Sequence, residues 1–507
     1  MSTTGTTHHP VTSDVDDTTW ASDPLTPPGG GAWDFLIVGG GTAGLVAAHT
    51  AAGFGASTLL VERARTGGDC LWTGCVPSKA LLAAAHVVGE ARAASALGVH
   101  VGDITVDFDE VMAHVRSTIT AIEPVDSPAA LRAAGAKVAQ GSVLFTGPQS
   151  ATVDGTPITF TQALVATGSE PLVPGLPGLA DVDPLTSDNV WALTELPERL
   201  LVLGGGPIGC ELGQAFSRLG SSVTIVEAAD RLISGETPPA SDAIARAFEN
   251  DGIDVRTGVT LTSIEPDRAG GPVALLDDGS EVPFDRILVS VGRRPRTSDL
   301  GLGAAGVALQ QSGHIDVDNR LRTSNPRIWA AGDLTGHAPF THTAGSHGSL
   351  AASNAVLGLR RTVQPDLVPR VTYTSPEVAS FGIAADSRPG LIVHTVPHSE
   401  VDRARAEGQV HGYSQLVLDA KGKVVGASIV GPRAGESLAE ALLAGQQGLK
   451  ARAVAGAMHA YPTWSDGVWK AALAQGRADL ESTPVKQVTA GLATVRRAWL
   501  KRRTHTA

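Results

Sequence analysis

Cysteine is nearly absent: the chain has three in 507 residues, too few for a disulfide-braced scaffold. The fold must therefore rest on a buried core. A hydrophobic content of 42% supplies one, in a chain long enough for two or three domains. Basic charge is also short, with 39 Lys and Arg against 51 Asp and Glu and a formal net charge of -12. That balance excludes nucleic acid as a general partner, because phosphate binding takes clustered cations. No uncharged apolar run reaches the roughly 18 residues of a membrane span. The opening MSTTGTTHHPVTSDVDDTTW has neither the basic start nor the apolar stretch of a secretory signal. Together these absences predict a cytoplasmic protein. In a reducing compartment a surviving Cys pair is more often catalytic or metal-binding than structural.

Glycine is abundant, at 59 residues, and its placement is informative. Residues 1–33, rich in Thr, Ser, Asp, Pro and Gly, predict a disordered leader. WDFLIVGGGTAG then gives a short apolar strand, Phe35 to Val38, followed by Gly39, Gly41 and Gly44. The Ala-rich LVAAHTAAGFG predicts a helix, and a second apolar run ends in Glu62. The pattern returns in RLLVLGGGPIGCELGQAFSRLGSSVTIVE, with Gly204, Gly206, Gly209 and Glu227. First glycine to terminal acid spans 23 residues in both copies, and Gly55 and Gly220 repeat at the same offset of 165. Each G-x-G-x-x-G follows a strand, opens a helix and has an acid about 20 residues on, which is the dinucleotide-binding arrangement. The glycines let backbone approach a pyrophosphate at a helix N-terminus, and the acid accepts from ribose hydroxyls. Two dinucleotide-binding domains follow.

QALVATGSEP and RILVSVGRRP, turning at Gly168 and Gly292, look like exits from those domains. NPRIWAAGDLTG places Asp333 just after another apolar strand. From about Leu367 short alternating strands and then helices predict a third domain of a different kind. Residues 484–507 form a basic tail.

GGDCLWTGCVPSKALL, Gly67 to Leu82, holds Cys70 and Cys75. In a regular helix, positions five apart are roughly 8–9 Å apart, past the ~7 Å reach of a disulfide. A bonded pair therefore needs a distorted or late-starting helix. Gly74 permits the distortion, and Pro77 suits the first turn of a helix that starts near Cys75. A thiol at such a start has a lowered pKa and is the better thiolate.

This segment resembles the redox-active disulfide motif of the class I pyridine nucleotide-disulfide oxidoreductases. That family includes dihydrolipoamide dehydrogenase, glutathione reductase and mercuric reductase. The resemblance covers about residues 34–480, through both glycine motifs, the ATG exit, AAGD and YTSPEVASFG. It implies an α/β fold, with two Rossmann-like dinucleotide-binding domains (FAD and NAD(P)) plus a C-terminal α+β dimerisation domain. The implied limits are 34–185 with 320–363 for FAD, 186–319 for NAD(P) and 364–483 for dimerisation. Zinc is the competing use of the cysteines, but it takes about four ligands and there is no second Cys pair.

The resemblance also implies roles. FAD would be held by Gly39, Gly41, Gly44, Glu62, Lys79, Gly141, Gly168, Asp333 and Thr341. NADH or NADPH would be held by Gly204, Gly206, Gly209, Glu227, Val259 and Gly292. Electrons would pass from the nicotinamide through the flavin to a Cys70–Cys75 disulfide. Cys75 would be the charge-transfer thiolate and Cys70 the interchange thiol, with Lys79 and Glu211 as an ion pair beside the flavin. Glu227, placed to bind a ribose 2′-hydroxyl, predicts NADH over NADPH, and Arg231 is the nearby cation that could reach a phosphate. Cys210 is expected as a small packed residue.

One motif departs from the family. Where dihydrolipoamide and glutathione reductases carry His-Pro-Thr-x-x-Glu, this chain has YPTWSD: Tyr461 at the His position and Asp466 at the Glu position, with His459 two residues earlier; mercuric reductase also lacks the His and has a Tyr in this region. A Tyr, with a pKa of about 10, is a poor base at neutral pH and a plausible acid or hydrogen-bond donor. The family places this motif across a homodimer interface, so active sites shared between subunits are implied. The implied reaction passes electrons to a disulfide or another small oxidant. Mercury, quinone or other metal ions are alternative acceptors, although the C-terminal Cys pair of mercuric reductase is missing. A redox-responsive FAD-binding protein with slow turnover is the alternative of another class. In the tail, Val488, Leu492, Val495 and Trp499 at helical spacing, with Arg496, Arg497, Lys501, Arg502 and Arg503, could touch an anionic membrane. A terminal helix docked on the dimer or fraying in solvent is the simpler expectation.

Overall fold

The computed structural model describes residues 20–503. These divide into two compact units. One runs to Ser234 and resumes at Phe248–Pro365; the other combines Gly235–Ala247 with the chain from Asp366.

The first unit contains both glycine motifs. Its larger sheet has seven strands. Lys137–Gln140, Thr58–Glu62, Trp33–Val38, Thr156–Val165 and Ile328–Ala330 run parallel in that order, and Val143–Gly147 and Ser150–Val153 add an antiparallel flap. Phe35, Leu36 and Ile37 are fully buried, as expected for parallel strands covered on both faces. The helix Thr42–Gly53 leaves the first strand and packs on Thr341–Leu357. The approach is close enough that a Cβ on Gly348 would overlap the carbonyl of Ala43. The second sheet is also parallel, in the order Asp254–Thr257, Ser222–Glu227, Arg199–Leu203 and Arg286–Val289.

The second unit has a five-stranded antiparallel sheet, in the order Arg370–Thr372, Glu377–Gly382, Val424–Gly431, Tyr413–Leu418 and Ile392–Pro397. Ala434–Gln446 and Asp466–Glu481 pack against it. Gly235–Ala247, expected within the second nucleotide domain, belongs here. Glu236 accepts from Arg370 at 2.8 Å and from Ser380 at 2.7 Å.

Two expectations change and one holds. The leader was drawn to residue 33, and residues 1–19 of it lie outside the described residues. Residues 20–32, however, are anchored: Asp23 accepts from Arg132 at 2.8 Å and from the Val138 amide at 2.9 Å, extending the sheet edge. Composition marked this stretch as loop, but one carboxylate with two donors ties it down. The basic tail is a helix, Thr483–Arg503, with residues 504–507 outside the described residues. And Gly68–Leu97 is long and apolar enough by composition to cross a membrane. Its packing on Phe108–Asp126 and Pro207–Leu219, and its ion pair to Glu211, make it a core helix instead.

Candidate active site

The two glycine units fold alike to the atom. Gly41 caps Thr42–Gly53 and Gly206 caps Pro207–Leu219; neither helix has a side-chain cap or an acid in its first turn. Glu62 accepts from the Gly40 amide at 2.6 Å and the Ala64 amide at 2.8 Å. Glu227 accepts from Gly205 at 2.5 Å and Ala229 at 2.7 Å. Gly39 and Gly204 have φ of +107° and +109°, which only glycine adopts without strain. A Cβ on Gly204 would lie 2.6 Å from the Ser290 carbonyl oxygen. Gly44 and Gly209 leave room for the same helix–strand contact, each facing the carbonyl of its own first glycine. Bare helix N-termini of this kind are anion sites, and the carboxylates stand where ribose hydroxyls would meet them. The amide of Gly141 donates to the Glu62 carbonyl at 3.0 Å, and that of Val259 to the Glu227 carbonyl at 3.3 Å, so both flank their respective acids.

The sequence did not announce what the two exits do. Ser169–Pro171 and Arg293–Pro295, just beyond Gly168 and Gly292, pair as an antiparallel ribbon. Ser169 donates to Asp333 at 2.6 Å. Arg293 donates to Ser169 at 2.7 Å and to Asp69, and Arg296 reaches Asp69 at 3.4 Å. One polar chain thus joins Asp333, the exit ribbon and the residue before Cys70. No short motif encodes such a chain, because its bonded members lie up to 227 positions apart.

Around the cysteines the backbone breaks as expected. A short helix, Gly68–Trp72, ends before Thr73, and a new helix, Cys75–Ala93, begins at Cys75. Gly74 is required at the break: a Cβ there would come 2.8 Å from the Asp69 carbonyl oxygen. The two cysteines are not bonded to each other in this structure. Interaction with Cys75, together with burial, pushes the Cys70 thiol far above its ordinary range. Interaction with Cys70, with Thr341 and the Lys79 ammonium, pulls Cys75 below the ordinary cysteine range. Thr341 Oγ1 lies 3.2 Å from Cys75 Sγ. Lys79 pairs with the buried Glu211 at 2.8 Å. The helix start adds to the preference for Cys75 as thiolate. Because Lys79 lowers the Cys75 pKa and Glu211 raises it, Lys79→Met should move deprotonation of reduced Cys75 to higher pH. Glu211→Gln should move it lower. Ultraviolet thiolate absorbance against pH reads both shifts.

The flavin site can be tested against the residues present. Thr343, on the first turn of Thr341–Leu357, has a buried Oγ1 with no hydrogen-bond partner among the described residues. That orphan, the adjacent Thr341, Asp333 and the Gly41 helix start form a continuous set of polar groups suited to a flavin dinucleotide. The sequence reading missed Thr343 and also Asp126. Asp126 ends the helix Phe108–Asp126 and is half-buried, and burial raises its own pKa. Its charge adds to the upward push on Cys70. Asp126→Asn should therefore lower the Cys70 pKa and speed alkylation of the reduced enzyme at fixed pH.

In the second unit Tyr461 and Asp466 have separate partners. Tyr461 donates to Asp402 at 2.7 Å, which raises its pKa and lowers that of Asp402. Asp466 is buried and accepts from the Thr463 amide at 3.3 Å and hydroxyl at 3.2 Å. One methylene shorter than Glu, it closes its own helix start instead of reaching out. The residue held by a Glu is His459, whose Nε2 lies 2.8 Å from Glu440. His342 stacks on Phe340 with centroids 5.1 Å apart. Cys210 is the packed residue it was expected to be: buried, bonded to the Gly205 carbonyl and pushed up by desolvation. Among the described residues no cluster of His, Cys, Asp and Glu could hold a metal ion.

The comparisons agree with this geometry. Residues 33–348 match the family model described as pyridine nucleotide-disulphide oxidoreductase, and residues 368–472 match its dimerisation domain. A mercuric reductase of Streptomyces lividans is 37% identical, over 87% of this chain and 95% of its own length. A dihydrolipoyl dehydrogenase of Chlamydia muridarum is 33% identical, over 86% and 95%. The solved structure of LpdA from Mycobacterium tuberculosis superposes with a TM-score of 0.80 at 27% identity, covering 87% of this chain and 99% of that one. With both nucleotide folds, the paired cysteines and the matching third domain in one chain, this protein belongs to the pyridine nucleotide-disulphide oxidoreductases, FAD- and NAD(P)-dependent flavoproteins with a disulfide redox centre and a dimerisation domain.

Proposed function

We propose that this chain is an NADH-dependent reductase that passes electrons through Cys70 and Cys75 to a small disulfide or another small two-electron oxidant. The observation that carries this reading is the asymmetry of the thiols: Cys75 opens a helix 3.2 Å from Thr341, with the Lys79 ammonium lowering its pKa, while Cys70 lies on the preceding short helix. FAD, when bound, supplies the two-electron relay from the nicotinamide to this pair. The flavin would be held by the Gly41 helix start, Glu62, Asp333, Thr341 and Thr343. The nucleotide would be held by the Gly206 helix start and Glu227.

With a disulfide substrate the protein's own chemistry is thiol exchange. A proton moves from Cys70 to Cys75 along their hydrogen bond, which makes Cys70 the nucleophile. Cys70 attacks one substrate sulfur, a mixed disulfide forms, and the first product thiolate leaves and takes the proton from Cys75. Cys75, again a thiolate, attacks the Cys70 sulfur. The Cys70–Cys75 disulfide forms and the second thiolate leaves, also to be protonated. Two electrons have then left the pair for the substrate.

Tyr461 fits an oxidant that needs no strong base from the third domain. In a homodimer with shared sites it would act as a hydrogen-bond donor supported by Asp402. The pH–rate profile should then show no inflection from this position between about pH 5 and 8. Tyr461→His should add one near about 6.5 and raise activity toward dihydrolipoamide-type thiols. Tyr461→Phe should slow the native reaction; equality with wild type for every acceptor would reduce Tyr461 to packing.

The mercuric reductases among its relatives favour a second reading, with mercuric or another metal ion as oxidant. Anaerobic titration with NADH, followed by turnover with a disulfide, a quinone and mercuric ion, separates the readings. Quinone turnover that survives Cys70→Ser/Cys75→Ser would overturn the thiol route. Reduction with negligible turnover of any acceptor would leave a redox-responsive flavoprotein.

A further inference from the structure

The helix Thr483–Arg503 lies beyond the matched dimerisation domain, which ends at residue 472. Four of its apolar residues fall on one side: Val488, Leu492, Val495 and Trp499 are spaced four, three and four apart, a stripe from which Leu500 lies about 100° away. They are 61%, 65%, 68% and 42% exposed. The stripe is therefore largely exposed on the single chain.

Charge narrows what can cover it. From residue 483 onward the chain has Lys486, Arg496, Arg497, Lys501, Arg502 and Arg503, six basic residues and no acidic one. The whole chain stands at -12, so the remainder carries -18. A single-signed helix on an oppositely charged protein is a local device. Arg496 lies over the Trp499 ring, 4.2 Å from its centroid, and keeps its guanidinium at the edge of the apolar stripe. By helical angle Arg502 borders the other edge, and Lys486, Arg497 and Lys501 fall on the opposite side. An apolar stripe with Trp, bordered by Arg side chains that can keep their charges at the headgroups, is the pattern of a helix lying in a membrane interface. A second copy of the same helix fits less well, because like charges would face each other along both edges.

We propose that Thr483–Arg503 binds an anionic lipid surface, holding the reductase at a membrane as a peripheral protein. The site is independent of the residues assigned to electron transfer. Its affinity should fall with added salt, since its polar part is exposed charge.

The test uses the full-length, FAD-loaded protein and sucrose-loaded vesicles. One set is phosphatidylcholine alone, the other phosphatidylcholine with a third phosphatidylglycerol. Wild type should sediment with the anionic vesicles at least tenfold more strongly than with the neutral ones, and high salt should remove the difference. Leu492→Glu/Val495→Glu should lose that binding at least tenfold, with NADH oxidation and dimer mass unchanged. Trp499→Phe should abolish any vesicle-induced blue shift in tryptophan emission. Failure of wild type to bind, or a double variant that binds as wild type does, would overturn the proposal. So would a double variant that falls apart into monomers, since the stripe would then be covered by a second copy.

Discussion

Cys75→Ser should abolish the long-wavelength absorption that NADH elicits from the reduced holoenzyme, whereas Cys70→Ser should retain it. Both variants should lose disulfide turnover by about 10³-fold or more, because exchange needs both sulfurs. The asymmetry follows from position. Cys75 opens a 19-residue helix, touches Thr341 and is stabilised as an anion by Lys79. Cys70 sits on the preceding short helix, tied through Asp69 to Arg293 and Arg296, and keeps its proton. Anaerobic spectra of both variants, with turnover of one disulfide substrate, check the assignment. A Cys70→Ser enzyme with full disulfide activity would reverse it. In wild type the band should persist to pH values below the ordinary cysteine range, since the Cys75 pKa is lowered.

The second large effect is nucleotide choice. Glu227 is fixed by two backbone amides at the end of its strand, so its carboxylate cannot turn away from an incoming 2′-substituent without losing both. Arg231 is already engaged, donating to the Ser234 carbonyl at 2.9 Å and lying 3.8 Å from Asp230. A 2′-phosphate would therefore meet a carboxylate with no committed cation. Like-charge juxtaposition costs several kcal/mol, so kcat/KM for NADH should exceed that for NADPH by on the order of 100-fold. Glu227→Gln should shrink the ratio by removing the charge while keeping the amide contacts on one oxygen. A clear NADPH preference in wild type would refute the argument.

The sequence by itself determined the repeated part of this protein. Strand, glycine turn, helix and acid are local, so Gly39 to Glu62 and Gly204 to Glu227 could be read from spacing alone. The helix break at Gly74 could be read the same way, because Gly, Pro and a pair of cysteines impose it within ten residues. Only the tertiary structure decided what lies between distant segments. It joined Asp69, Ser169, Arg293 and Asp333 in one hydrogen-bonded chain, brought Thr341 to Cys75 and paired Lys79 with Glu211. It also sent Asp466 to its own helix start and gave Tyr461 to Asp402. The reason is physical: periodicity and turn chemistry act over a few residues. A hydrogen bond between side chains hundreds of positions apart depends on how sheets and helices pack.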